Sequence, residues 1–187
     1  MGRPRGFDEE RALHAAMELF WQQGYDGTSL SDLVRATGAS RASLYQLWGD
    51  KQGLYVAALE RYGDTVATAA LSLLQRGDPL EAIRHYFHQM ADFVVQGHTC
   101  FVVDTVMHEV GACPAIARVT RAELDRVQAA LQQALERAGV AEPAAHAHHL
   151  ALALQGLLVQ GRARPGRAAV DAYVRFTLST LPPSESP

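Results

Sequence analysis

Apolar positions along this chain recur at intervals of three and four, and no segment shows the alternation of a strand. The first stripe, Leu13, Ala16, Met17, Phe20 and Trp21, predicts an amphipathic helix over 8–23. Asp8, Glu9 and Glu10 occupy its first turn, where acids complement the helix dipole. Gly24 is a stop that can take positive φ. Ser29 and Asp32 stand at capping-box spacing, with Asp in place of the usual Glu, and open a short helix over 30–37. Gly38 predicts a sharp turn, and Ser40 caps a third helix over 41–48. Helices of this length do not persist alone, so both must lean on the first helix and on the start of the fourth.

The same period continues downstream. A fourth helix over 50–75 turns Leu54, Tyr55, Ala58, Leu59, Tyr62, Val66, Ala69 and Leu73 inward. Asp78-Pro79 opens a fifth, as N-cap followed by proline, with Leu80, Ile83, Phe87, Met90, Ala91 and Val94 on one stripe before Gly97. Residues 101–112 are apolar on nearly every side, the mark of a helix buried all round. Pro114 and Glu142-Pro143 open the next two helices, residues 162–167 precede the last, and 181–187 are too polar and proline-rich to fold. The pattern predicts an all-α chain of about nine helices. A three-helix helix-turn-helix domain (1–49) precedes a larger helical domain (50–181) and a flexible tail (182–187).

In a helix-turn-helix the second helix of the motif lies in the DNA major groove while the first crosses the backbone. Residues 24–51 have that layout. The last two helices carry apolar residues on more than one side, Leu150, Leu154, Leu157 and Leu158 against Leu152 and Val159, then Val170, Val174 and Leu178 with Tyr173 and Phe176 flanking. A two-fold homodimer closing a four-helix bundle would bury the excess. A thicker monomer core is the alternative. Two reading helices suit a near-palindromic operator in double-stranded DNA.

Composition changes this picture little. The 187 residues, 48% of them hydrophobic, suffice for one small and one larger domain. No apolar run approaches the roughly 18 residues of a membrane span, and the N-terminus lacks a secretory apolar region, so a cytoplasmic protein without a membrane partner is expected. The net charge is −3, and acids and bases nearly balance over 1–62, so charge alone would not suggest DNA. Placement does: Arg3 and Arg5 form a mobile arm, Arg41 sits on the reading helix, and Lys51, the only lysine, starts the next. Cys100 and Cys113 are separated by roughly 20 Å if the intervening chain is helical, too far for a disulfide. No nucleophile–base set or glycine-rich phosphate loop supports an enzyme, no catalytic residue or cofactor is expected, and His146, His148 and His149 read as solvated rather than as metal ligands.

The stretch from Glu10 to Tyr62 carries more: ALHAAMELFWQQGYDGTSL, the turn ATGASRASLY, then WGDKQGLYVAALERY. It resembles the tetracycline-repressor (TetR) family of bacterial transcription regulators. The resemblance implies an all-α homodimer whose N-terminal domain binds an operator and whose C-terminal domain binds a small effector that loosens the grip. By position, Thr28 would bond a phosphate, Tyr45 and Lys51 would clamp the backbone, and Ser40, Arg41, Ala42, Ser43 and Gln46 would lie in the DNA-reading segment. Arg41 suits a bidentate contact to guanine and Gln46 one to adenine, with a phosphate contact or a solvated arm as the alternative for Arg41. Leu47 stands where the family often has histidine or another polar residue, and Trp48 replaces the usual phenylalanine and would fill the small core with Phe20 and Leu44.

For the effector, Asp104 interrupts the apolar segment one turn before His108, which is its nearest candidate partner. The two read either as a structural pair or as the polar rim of a pocket lined by Phe87, Phe101 and Met107, suited to a small hydrophobic molecule. Cys100, at an expected helix N-terminus that would lower its thiol pKa, is a redox or electrophile candidate; a small buried hydrophobe is the alternative. The expected function is a DNA-binding repressor released by a hydrophobic effector. Its rivals are a sensor acting through Cys100 and a helical adaptor without DNA binding.

Overall fold

The computed structural model describes residues 8–108 and 113–182. All regular structure among them is helical. Arg3 and Arg5, the end of the 101–112 segment and most of the tail lie outside the described residues.

Helix α1 (Glu9–Gly27) opens on Asp8, whose carboxylate accepts the backbone N–H groups of Glu10 and Arg11. The expected stop at Gly24 is a kink instead (φ 73°, ψ 175°), beyond which the chain makes one more turn. That turn carries Tyr25 toward the fourth helix. Helix α2 (Leu30–Thr37) has both bonds of the capping box between Ser29 and Asp32. Gly38 then takes φ 68°, where a side chain would cost roughly 1–2 kcal/mol. Ser40 Oγ accepts the Ser43 N–H and starts α3 (Arg41–Trp48).

Helix α4 (Lys51–Tyr62) does not run unbroken to residue 75. A π-helical turn, Gly63–Ala67, follows it, then α5 (Thr68–Leu71) and a 3-10 turn, Ser72–Gln75. The cause is local. The Gly63 carbonyl accepts hydrogen bonds from Arg126 and from the Thr68 hydroxyl, and the Glu123 carboxylate lies so close that a Cβ on Gly63 would overlap its Oε1. Such single π-turns are frequent at functional sites.

The body comprises α6 (Pro79–Val95), α7 (Phe101–His108), α8 (Pro114–Arg137), α9 (Pro143–Val159) and α10 (Arg167–Leu178). Helices α8 and α9 pack side by side, and α6 lies against both and against α10. Their core holds Ile83, Phe87, Leu131, Leu150, Leu154 and Val174. A second core joins Phe20, Leu33, Leu44, Tyr55 and Leu59 of the N-terminal helices to Phe101 and Ile116 of the body, with Trp48 packed at its margin. Helix α7 is less buried than its composition suggests. Phe101, Val102, Val103 and Thr105 are covered, whereas Val106, Met107 and His108 are exposed, because the helix enters between the two parts and runs out toward the surface.

Candidate nucleic-acid interface and effector cavity

The reading surface is built on α3. Leu44 anchors the helix in the core, which turns Arg41, Ala42, Tyr45 and Gln46 outward. The Arg41 guanidinium lies 5.4 Å from the Tyr45 ring centroid, with Nη2 3.4 Å from the hydroxyl, so each restrains the other on the exposed face. The hydroxyls of Ser40 and Ser43 lie 2.9 Å apart at the start of the helix. Lys51 Nζ sits 4.2 Å above the ring of Tyr25, a cation–π contact that orders a long side chain beside the reading helix.

Thr28 is placed differently from expectation. It is buried, and its hydroxyl donates to the Gly24 carbonyl at 2.7 Å. A phosphate can only accept, so in this conformation the hydroxyl fixes the α1–α2 corner and offers no proton to DNA.

Behind this surface lies an internal cavity of about 100 Å³, formed where α4, the π-turn, α6, α8 and α9 converge around Cys100. Its walls are mostly apolar, including Val66, Ala70, Met90, Leu124, Val127 and Leu154, with Tyr62, Tyr86, Glu123 and Gln155 as polar exceptions. The Tyr62 hydroxyl donates to Cys100 Sγ at 3.5 Å. Burial is the main cause that pushes the Cys100 thiol up, outweighing the Tyr62 hydroxyl and the backbone N–H groups of Val103 and Val102. The helix N-terminus therefore does not yield a thiolate here. Burial likewise raises both tyrosines. The Glu123 carboxyl is also raised, by burial first, against the opposing pull of Arg126 and with Asp64 adding to the rise.

Likeness to known proteins now bears on identity. Residues 12–58 match the description "Bacterial regulatory proteins, tetR family". The HTH-type transcriptional repressor ComR of Escherichia coli is 34% identical over 190 residues, spanning 96% of this chain and 90% of ComR. The chain belongs to the TetR family. A Bacillus subtilis relative, the uncharacterized HTH-type transcriptional regulator YezE, is 31% identical over 142 residues, covering 74% of this chain and 73% of its own. A cysteine mutant of the TetR-family regulator CifR, solved with a 26-base-pair double-stranded operator, superposes with a TM-score of 0.83 at 27% identity, covering 96% of this chain and all of CifR. This TetR-family chain is thus a DNA-binding transcriptional regulator with the all-helical fold of its relatives.

Within that frame the expected ligand set comes apart. Phe87 is fully buried in the body core and Met107 is 61% exposed, and neither lines the cavity. Phe101, Asp104 and His108 border a separate cleft with Trp21, Tyr55 and Arg162, at the junction of the reading head and the body. Asp104 does not pair with His108. Its carboxylate accepts from the Thr99 hydroxyl at 2.6 Å and from Arg162 Nη2 at 2.9 Å, because α9 and its 3-10 end bring Arg162 alongside. The Thr99 carbonyl in turn accepts the Trp21 indole N–H at 2.8 Å, which ties α1 to the body. Of the expected effector and redox residues, Cys100 alone lines the cavity. Tyr62, Val66, Met90 and Leu154 were visible as inward stripes, but nothing in one sequence shows that stripes of separate helices share a hollow. Glu123 and Gln155 carried no signal at all. Among the described residues, no three metal-ligating side chains gather, and both cysteines are free thiols.

Proposed function

We propose that this regulator is a repressor that binds a near-palindromic operator as a homodimer and is released by a small, mostly apolar effector held in the cavity behind Cys100. Arg41 and Gln46 read base edges, Tyr45 and Lys51 grip the flanking backbone, and Leu152, Val159, Tyr173 and Phe176, exposed on α9 and α10, meet the same residues of a second copy. The observation that carries the reading is one element with two ends. Helix α4 begins at Lys51, on the DNA side, and ends at Tyr62, in the cavity wall. A chain of edge-to-face rings runs beside it: Tyr25 to Tyr55 at 5.1 Å, Tyr55 to Phe101 at 5.4 Å, and Phe101 to Tyr62 at 5.8 Å.

The cavity's size supplies the coupling. A hollow of about 100 Å³ is smaller than the ~150 Å³ that accepts benzene. A larger effector must therefore select a conformation in which the walls have parted. If that conformation spaces the two reading heads wrongly for the operator, effector and DNA exclude each other by differential affinity. The supported division is a reading head over 1–49 that moves against a body over 50–181. Such a protein works in the cytoplasm, where the DNA is, and the arrangement offers no catalytic role. Two observations weigh against a thiolate sensor and an adaptor: the Cys100 thiol is held protonated, and the reading face is intact.

The test is selection from a pool of random duplexes by the purified protein, followed by an effector screen on the recovered site. Recovery of a near-palindrome and its release by small apolar compounds is the expected result. Weak binding without sequence preference, even at low salt, would favour the adaptor.

A further inference from the structure

Glu123 is an anomaly in an apolar hollow. Its side chain is only 16% exposed, and Oε2 is buried without a hydrogen-bond donor. Arg126 Nη2 approaches Oε2 to 2.7 Å, but Arg126 directs its hydrogen bonds to the Gly63 carbonyl and the Thr68 hydroxyl. The guanidinium thus holds the π-turn and leaves the carboxylate incompletely satisfied. Asp64 adds a second negative charge to its surroundings. A buried charge without full pairing is costly, so a site of this kind gains most from a ligand that brings the missing donor. Across the hollow, Tyr62, Tyr86 and Phe93 supply aromatic walls, whose ring faces attract cations, and Gln155 supplies an amide oxygen.

We infer that the effector is a lipophilic amine, a small apolar body bearing one protonated nitrogen, and that Glu123 is the residue that selects it. The inference rests on the effector reading above and narrows it to a chemical class. An ammonium donates to the Glu123 carboxylate, while the hydrocarbon part occupies the apolar remainder between α6 and α9. Occupancy also bears directly on the coupling element. A cation at Glu123 competes with Arg126 for the carboxylate, and Arg126 is the group that holds the Gly63 carbonyl at the end of α4.

The experiment uses the full-length protein and the selected operator. Isobutylamine and benzylamine are each compared with the alcohol of the same carbon skeleton, and operator release is read by fluorescence anisotropy and direct binding by calorimetry. In the wild type each amine is expected to bind about 10- to 100-fold more tightly than its alcohol, the worth of a hydrogen bond to a charged group. That preference should disappear in Glu123→Gln and persist, reduced, in Glu123→Asp, with each variant referred to its own operator affinity. Equal potency of amine and alcohol in the wild type, a preference that survives Glu123→Gln, or binding of neither amine overturns the inference. The effector reading fails separately: release by neutral compounds with no preference for the amines leaves it standing while the cationic class falls.

Discussion

Arg41 and Lys51 differ in what they contribute although both are cations on one surface. Arg41 projects from the exposed face of the reading helix, held against Tyr45, in a position to meet a base edge. Arg41→Ala should cost about 1–3 kcal/mol and relax preference at a single operator position. Lys51 rests over Tyr25, and its proposed partner is phosphate. Lys51→Ala should weaken all sequences alike and reduce the slope of log affinity against log salt by about one. Titration series on the selected operator and on a scrambled duplex separate the two effects. On the alkaline side, the cavity groups whose pKa is raised are Cys100, Tyr62 and Tyr86, all mainly by burial. Each is neutral when protonated, so the stability it lends is complete below its unfolded pKa and lost as pH rises through the folded one. The melting temperature should therefore begin to fall above roughly pH 8.5, where an unfolded thiol ionises, and continue falling near pH 10 as unfolded tyrosines do. Cys100→Ala should remove the first part of that fall, and alkylation of the wild-type thiol by iodoacetamide at pH 7 should be slower than that of free cysteine. A thiol alkylated as fast as free cysteine would reinstate the sensor reading.

Short helices in the reading head depend on their ends. Ser40 satisfies the Ser43 N–H at the start of α3, and no long hydrophobic face compensates for its loss, because Leu44 is the one fully buried residue of that helix. Ser40→Ala should lower stability by about 1 kcal/mol. A control, Ser72→Ala, removes a hydroxyl that only bonds back to the Ala69 carbonyl and should cost less. Thermal melts of both variants decide. The caps of α1, α2 and α3 could be read directly, since each is a bond between near neighbours. The break after Tyr62 could not. Its cause is the carboxylate of Glu123 and the guanidinium of Arg126 pressing on Gly63 from a helix far along the chain. Local periodicity carries straight through such a site because the inward stripe is unchanged by one wider turn.

At the scale of the whole molecule, the two hydrophobic cores share a border at α7, so the reading head and the cavity are neighbours rather than separate modules. Phe101 lies in the core of the reading head, packed edge-to-face on Tyr55 and Tyr62, and its neighbour Cys100 packs against both cores. Phe101→Leu keeps the burial but removes the ring; it should preserve operator binding within a few-fold while blunting effector-driven release, seen as a smaller ratio of operator affinities without and with effector. An unchanged ratio would mean that the rings fill space and transmit nothing. Assembly belongs to this scale too. Phe176 is 76% exposed on α10, and Tyr173 and Leu152 are exposed nearby. Phe176→Asp should shift the protein toward monomer in sedimentation, and operator affinity should fall with it, because one head alone reads half a palindrome.

Taken by itself, the chain determined the helices, their caps, the helix-turn-helix and the family, because periodicity, capping and turn chemistry act over a few residues. It also marked Arg41, Tyr45 and Gln46, whose exposure follows from which face of a short helix must be buried, and Lys51 at the start of the next helix. Partners distant in sequence were decided only in three dimensions. Asp104 has two neighbours within reach, His108 on its own helix and Arg162 far along the chain, and the packing of α9 chose Arg162. Thr28 carries the composition of a phosphate contact, yet burial turned its proton inward to Gly24. Cys100 stands at a helix start that favours a thiolate, and the desolvation of a closed interior reversed the sign. The cavity itself has no local signature, since a hollow is made by what several helices jointly fail to fill.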